Sequence, residues 1–139
     1  MLAPAAVEEL LRFQSPVIYM RRTALQDTEL GGTRIAAGDK VVMYYGAVNR
    51  DPAVFDHPDE LVLDRSPNGH LAFGTGRGPH FCLGAHLARI EIGEMMGQLA
   101  ARFPDLELTG EPVWRPSDFL SGPAHVPVRF TPPGPVGER

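Results

Sequence analysis

The sequence predicts an α+β fold that is mainly helical. Two stretches, 4–14 and 83–102, place apolar residues at the spacing of amphipathic helices. Two shorter runs, 17–24 and 40–45, are rich in Val, Ile, Tyr and Met, which is the composition of strands. Alternation of long helices with short strands and irregular connections is typical of an α+β domain.

Glycine and proline set the connections in the first half of the chain. The sequence Leu-Gly-Gly-Thr at 30–33 predicts a turn. Residues 50–63 are predicted to form a short helix followed by an irregular meander, because Pro52 and Pro58 interrupt any longer helix.

The second half of the chain is predicted to be loop-rich outside its long helix. Glycine and proline concentrate in 64–84 and 110–139, which favours loops over helix. Short strands are expected at 106–108 and 126–131, and a flexible tail at 132–139. The long helix carries a predicted apolar stripe made of Leu83, Leu87, Ile90, Met95 and Leu99.

Composition limits the functional classes. The 139 residues suit one domain, here placed at 1–131, and 43% of them are hydrophobic. A net charge of −4 argues against a nucleic-acid partner. A single cysteine excludes an internal disulfide, and neither an apolar run of about 18 residues nor a signal-peptide pattern is present. We therefore expect a cytoplasmic protein with no membrane segment.

Cys82 is the only cysteine and lies in the most unusual stretch of the sequence. Three glycines and a proline precede it between 74 and 79, and helical periodicity begins directly after it. A thiol near a helix N-terminus is biased toward the thiolate, which is a soft metal ligand. The alternatives are a buried, inert thiol and a nucleophile of a hydrolase. A zinc site is disfavoured, because His80 and His86 bring no second cysteine.

The residues around Cys82 also resemble the heme-binding loop of the bacterial cytochrome P450 family. That family's pattern is Phe-Gly-X-Gly-X-His-X-Cys-Leu-Gly followed by Ala-X-Leu-Ala-Arg. The matching residues here are His80-Phe81-Cys82-Leu83-Gly84 and Ala85-His86-Leu87-Ala88-Arg89. Other segments resemble the family in the expected order: Glu9-Leu10-Leu11-Arg12 of its K helix, Ser15-Pro16-Val17, Arg22-Thr23-Ala24, 32–42, Asn49-Arg50-Asp51-Pro52, Asp64-Arg65 and 121–130.

The resemblance implies the C-terminal, heme-proximal part of that fold. It would comprise the K helix, a small β-sheet, the meander, the cysteine loop, the L helix and a C-terminal hairpin. The implied cofactor is heme b, with Cys82 as the catalytic cysteine and proximal iron ligand. The residues implied to bind the cofactor are Arg22, Phe73, Gly74, Gly76, His80, Cys82, Gly84 and Ala88.

Two groups of polar residues have local alternatives to these implied roles. Glu9, Arg12 and Arg65 would form a buried structural network, whereas Glu9 and Arg12 alone would suggest an exposed ion pair. His80 would contact a heme propionate together with Arg22, or form only local hydrogen bonds. Arg77 would do the same or lie on the outer face of the loop.

Phe73 departs from the family pattern. The family's phenylalanine lies seven positions before the cysteine, where this chain has Thr75. Phe73 lies two positions further back, so the loop carries two extra residues near 77–78 or packs differently beneath the heme.

The resemblance further implies a monooxygenase that inserts one oxygen atom of dioxygen into a small organic substrate. Electrons would come from a ferredoxin or flavoprotein, docking near Arg77 and Arg89 unless these are ordinary surface charges. Residues 17–20 and 120–124 resemble segments that touch substrate. The family's oxygen-activating distal helix has no counterpart here, so a second chain or subunit would cover the distal heme face. The alternatives are a heme-binding protein without oxygenase activity and a remnant that binds no heme.

Overall fold

The computed structural model describes residues 1–76 and 78–132. Two helices, α1 (Pro4–Gln14) and α3 (Ala85–Arg102), are the main elements, and a single turn forms α2 (Tyr45–Val48). The eight strands are β1 (Tyr19–Thr23), β2 (Thr28–Leu30), β3 (Thr33–Ile35), β4 (Lys40–Tyr44), β5 (Glu107–Leu108), β6 (Val113–Trp114), β7 (Pro123–His125) and β8 (Val128–Arg129).

The strands pair as four antiparallel two-stranded sheets, β1 with β4, β2 with β3, β5 with β8 and β6 with β7. The longest pairing aligns Tyr19 with Tyr44 and Thr23 with Lys40. Gly31 and Gly32 connect β2 to β3 with positive φ angles of 57° and 77°, which glycine adopts without a steric cost. The mainly helical α+β class, both long helices and the strands predicted at 17–24, 40–45, 106–108 and 126–131 therefore agree with the structure.

The buried core is small and unusually polar. Its hydrophobic members among the described residues are Ala6, Val7, Leu11, Phe55 and Ala85. Four buried residues are polar or charged, namely Glu9, Arg12, Ser15 and Asn49. Buried charges persist only when they are paired and hydrogen-bonded, so α1 is held in place by polar contacts as well as by apolar packing.

The helix predicted within 50–63 is absent, and this part of the prediction is wrong. The short helix instead precedes it as α2, and 50–63 consists of turns and bends. Arginine side chains explain the difference, because Arg12 donates to the backbone oxygens of Pro58 and Glu60. Arg65 donates to those of Asp56 and His57. Carbonyl groups turned toward these guanidinium groups are not aligned for helical hydrogen bonds.

The predicted apolar stripe of α3 is not buried in this chain. Leu83, Leu87, Ile90 and Met95 are exposed, while Leu99 is half-buried. The helix instead buries Ala85 and Gly93. Gly93 faces α1 and the N-terminal residues, because a Cβ on it would lie 3.3 Å from the Met1 side chain and 3.6 Å from that of Val7. The amide of Leu2 also donates to the Gly93 oxygen at 2.8 Å. Small side chains permit that close approach, and the bulky ones project away from it.

The expected flexible tail at 132–139 lies outside the described residues from position 133 onward. Within the described ranges, no helix is both long enough and apolar enough to cross a bilayer. Strands β6 and β7 fall inside 110–139, where the composition predicted mainly loops.

Candidate functional site

Cys82 lies at the end of the glycine-rich loop, three residues before α3 begins at Ala85. Its amide donates to the Phe73 oxygen at 3.0 Å, which closes the loop on itself. Its own oxygen accepts from the amide of Ala85 at 3.2 Å, which leads into the helix. The thiol is exposed. The loop therefore fixes the backbone of Cys82 on both sides and leaves the sulfur open to a ligand.

An apolar cavity of about 250 Å³ opens beside this sulfur. Its lining residues are Leu11, Pro16, Val17, Met20, Tyr45, Ala72, Phe73, His80 and Cys82. Phe73 lines the cavity even though it lies nine positions before the cysteine. Phe73 therefore lines the same cavity as Cys82 despite its two-position offset from the family pattern.

A second cavity of about 240 Å³ adjoins the first and carries two basic side chains. Arg22 and His80 both line it, and it shares His80 and Tyr45 with the cavity beside Cys82. Arg22 is exposed, and its guanidinium donates to the oxygen of Arg21 at 2.9 Å. A basic pair at the rim of an apolar cavity suits a flat apolar ligand with carboxylate groups at one edge.

Of the other described residues predicted to bind the cofactor, only Gly74 lines one of the two cavities. Gly74 lines the second cavity with φ of 83°, so a larger residue would be strained there. A Cβ on Gly84 would lie 4.0 Å from the Cys82 sulfur. Ala88 is half-buried in the first turn of α3, and its amide donates to the Gly84 oxygen at 2.9 Å. Gly76 is exposed in the loop. Neither cavity includes Gly76, Gly84 or Ala88 in the lining formed by described residues.

Glu9, Arg12 and Arg65 form one connected network. Arg12 donates to both carboxylate oxygens of Glu9 at 2.8 Å, and both side chains are fully buried. Arg65 donates from Nε to Oε2 of Glu9 at 3.0 Å and is 9% exposed. Asn68 and the amide of Val62 donate to the same carboxylate.

This network keeps Glu9 ionised. Burial by itself would raise the pKa of Glu9, but the hydrogen bonds from Arg12, the Val62 amide and Arg65 outweigh it. They hold the pKa of Glu9 at about 2, below its usual value of 4.5.

The sequence of this chain matches a known protein family. The family model described as Cytochrome P450 matches residues 1–123. The chain belongs to the cytochrome P450 family. A methyl-branched lipid omega-hydroxylase of Mycobacterium tuberculosis is 51% identical over 130 residues, which is 94% of this chain and 30% of that protein. A steroid C26-monooxygenase of Mycolicibacterium smegmatis is 47% identical over 137 residues, or 97% of this chain and 34% of that protein.

Solved structures show the same relationship. Cytochrome P450 CYP268A2 of Mycobacterium marinum, in complex with pseudoionone, is 49% identical with a TM-score of 0.85. The alignment covers 91% of this chain and 30% of that one. The Bacillus subtilis cytochrome P450 PksS aligns with a TM-score of 0.87 over 92% of this chain and 34% of its own. This P450 chain thus spans about a third of the length of such relatives.

Asn49 is a buried residue of this P450 chain to which sequence analysis gave no role. Its side chain donates to the Ser15 hydroxyl at 2.8 Å and accepts from the amide of Leu71 at 2.8 Å. Its backbone oxygen accepts from Arg12. Asn49 therefore ties the end of α1 to the start of the cysteine loop. The Asn-Arg-Asp-Pro motif at 49–52 was the sequence signal for Asn49. The residues that Asn49 contacts through these bonds lie more than 20 positions away in sequence.

Arg89 is paired and is not a lone solvated charge. Its side chain, which is 35% exposed, pairs with Glu8 on α1, and docking of an electron donor near it stays a prediction. His70 contacts the same carboxylate at 2.8 Å. Sequence analysis missed Glu8 and His70, because their partners are 62 or more positions away. Arg77, also considered for docking or propionate binding, lies outside the described residues.

Proposed function

We propose that this chain is the heme-proximal part of a heme-thiolate monooxygenase, with Cys82 as the proximal ligand of heme b. The observation that carries the proposal is the exposed thiol beside an apolar cavity that continues into a basic rim. A porphyrin is flat and apolar with two carboxylates on one edge, so the cavities and their rim fit it. When bound, the heme supplies dioxygen activation, which a thiolate ligand promotes by donating electron density to the iron.

The residues around the cavities would hold the cofactor in distinct ways. Arg22 and His80 would bind the propionates through charge-assisted hydrogen bonds. Phe73 would pack against the porphyrin beside the sulfur, and Gly74 would let the loop turn there. Gly76, Gly84 and Ala88 are assigned to the cofactor from the family motif. The network of Glu9, Arg12 and Arg65 would keep this scaffold rigid without taking part in the chemistry.

The substrate of the complete enzyme would be a small, largely apolar organic molecule. Residues 17–20 and 120–124, which resemble the family's substrate-contacting segments, are joined next to the Cys82 cavity. Val17 forms an isolated bridge with Leu120, and the amide of Ile18 donates to the Phe119 oxygen at 2.9 Å. The names of the relatives, a lipid omega-hydroxylase and a steroid monooxygenase, also favour hydrophobic substrates.

Polypeptide outside these 139 residues would cover the distal face of the heme. The accessible area of the chain is 10403 Å². A compact monomer of 15.2 kDa would expose about 7,100 Å² by the usual scaling of surface with mass. The excess supports further polypeptide, such as a second chain or subunit, packing on this part. A ferredoxin or flavoprotein in the cytoplasm would supply the electrons.

The test is the absorption spectrum of the purified chain reconstituted with hemin, reduced and exposed to carbon monoxide. We expect a strongly red-shifted Soret band in the wild type that is lost in Cys82→Ala. His86→Ala is the matched control, since His86 is exposed one turn further along and should leave the band unchanged. A band that persists in Cys82→Ala, or its absence in the wild type, would reject thiolate ligation by this chain.

A further inference from the structure

Glu8 stands next to the buried network but belongs to a separate cluster. Its carboxylate accepts from Nε of Arg89 at 2.6 Å and from Nη2 of the same residue at 2.9 Å. The Nε2 atom of His70 lies 2.8 Å from the second oxygen. The hydrogen bonds from Arg89 lower the pKa of Glu8 against the opposing effect of burial. Glu8 is therefore an ionised acceptor near neutral pH.

His70 extends this cluster into the backbone of the cysteine loop. Its Nδ1 atom accepts from the amide of Ala72 at 3.1 Å, so this nitrogen carries no hydrogen in the neutral ring. The hydrogen is then on Nε2, which donates it to Glu8. The side chain of His70 is only 3% exposed. A continuous chain of hydrogen bonds therefore joins Glu8 on α1 to the residue that precedes Phe73.

Arg89 reaches Phe73 from the other side. The guanidinium carbon lies 4.7 Å from the centre of the Phe73 ring, within the range of a cation–π contact. The His70 ring lies 6.1 Å from the same ring. Both groups that flank Phe73 are thus bound to Glu8. The backbone oxygen of Phe73 in turn accepts from the amide of Cys82.

We propose that Glu8 is a positioning residue for Cys82, acting through His70 and Arg89 to hold Phe73 and the cysteine loop in one geometry. This inference rests on the proposed ligand role of Cys82. Glu8 itself does not line the cavity beside the thiol. Its effect would be to fix the sulfur and the adjacent aromatic ring relative to the heme, as outer-sphere partners commonly do for metal ligands.

The first test measures amide hydrogen exchange by NMR in the heme-free chain. In Glu8→Gln, the amides of Ala72 and Cys82 should exchange about tenfold faster, because a charge-assisted anchor of the loop is lost. The amide of Ala24, which donates to the Asp39 oxygen in a separate hairpin, should be unaffected. Glu94→Gln is the matched control, since it removes the same charge from an exposed position of α3.

Arg89→Lys provides a second variant should Glu8→Gln fail to fold. Lysine keeps the charge but cannot form the two parallel hydrogen bonds, so it should accelerate exchange at the same two amides. Unchanged exchange at Ala72 and Cys82, or an equal acceleration at Ala24, would overturn the positioning role.

The second test asks whether the effect reaches the heme. After hemin reconstitution, reduction and exposure to carbon monoxide, Glu8→Gln should lose several-fold more of the red-shifted Soret band than Glu94→Gln does. An unchanged band in Glu8→Gln would overturn the role of Glu8 alone. A wild-type chain without the band would overturn the ligand role of Cys82, and the role of Glu8 toward the heme with it.

Discussion

Arg12 shows how one side chain can organise segments that are far apart in sequence. A guanidinium has five N–H donors, and all five are used here. Two bind the carboxylate of Glu9, and three bind the backbone oxygens of Asn49, Pro58 and Glu60. The last two oxygens belong to the irregular meander, which contains no helix or strand of its own. Arg12 thus replaces the hydrogen bonds that regular secondary structure would have provided.

Replacing Arg12 should be costly. Arg12→Leu would leave the fully buried carboxylate of Glu9 without its main partner, which typically costs about 3–5 kcal/mol of unfolding free energy. Urea unfolding followed by circular dichroism measures this loss. Arg34→Leu is the matched control, because Arg34 pairs with Asp27 at an exposed site and such pairs contribute about 0–1 kcal/mol. Equal losses in the two variants would contradict the importance of burial.

The low pKa of Glu9 predicts a specific acid sensitivity. Its folded pKa of about 2 lies below the ordinary value of 4.5. The stabilisation it contributes is therefore complete above pH 4.5 and is lost as the pH falls through about 2. Glu9→Gln cannot titrate, so its stability should vary less with pH across this window. Urea midpoints measured for both proteins at several pH values test this, and parallel curves would count against it.

At the scale of elements, α3 depends on glycine for its contact with the N-terminal residues. A Cβ built on Gly97 would lie 2.9 Å from the Cα of Met1 and 3.0 Å from the amide nitrogen of Leu2. These are backbone atoms that cannot move independently. A Cβ on Gly93 would instead meet the flexible side chain of Met1 at 3.3 Å. The two glycines therefore differ in what a larger residue would displace.

Gly97→Ala should destabilise this contact, whereas Gly93→Ala should be tolerated. Overpacking against backbone typically costs about 1–3 kcal/mol. Alanine at position 93 can gain up to about 1 kcal/mol of helix propensity, which offsets a small shift of Met1. Urea unfolding and the exchange rate of the Leu2 amide measure both effects. Faster exchange of this amide is expected in Gly97→Ala, and similar behaviour of the two variants would refute the distinction.

At the scale of the whole molecule, many large apolar side chains among the described residues are exposed. Leu83 is 102% exposed and Leu87 is 59% exposed, and both lie just beyond Cys82 in the sequence. Contiguous exposed apolar residues commonly mark a surface that another polypeptide covers. Helical spacing predicted an apolar stripe on α3, and the structure leaves most of that stripe exposed.

Charged substitutions on this surface should reduce its binding of a hydrophobic dye. The double variant Leu83→Glu and Leu87→Glu is expected to lower the fluorescence of a bound hydrophobic dye such as ANS several-fold. The reason is that a carboxylate disfavours contact between the dye and the remaining apolar side chains. Leu25→Glu is the control, since Leu25 is 96% exposed but lies in a separate turn. Equal reductions in both proteins would argue against a localised apolar surface.

The sequence by itself determined the two long helices, the strands β1, β4, β5 and β8, and the family resemblance. Periodicity located α1 and α3, glycine pairs located the β2–β3 turn, and the residues around Cys82 indicated the P450 resemblance. These features depend on spacing over a few residues, where local sterics and side-chain pattern act directly. The closeness of Arg22 and His80 came from the resemblance and not from local pattern.

Only the tertiary structure decided which distant side chains meet. The partners of Glu8 lie 62 and 81 positions away, and Arg12 reaches carbonyls 37 to 48 positions away. No local rule selects such partners, because loop geometry and burial determine them together. The same holds for the stripe of α3, since periodicity shows which face is apolar but not what packs against it. The helical periodicity of apolar residues is a property of the sequence, whereas their burial is a property of the assembled fold.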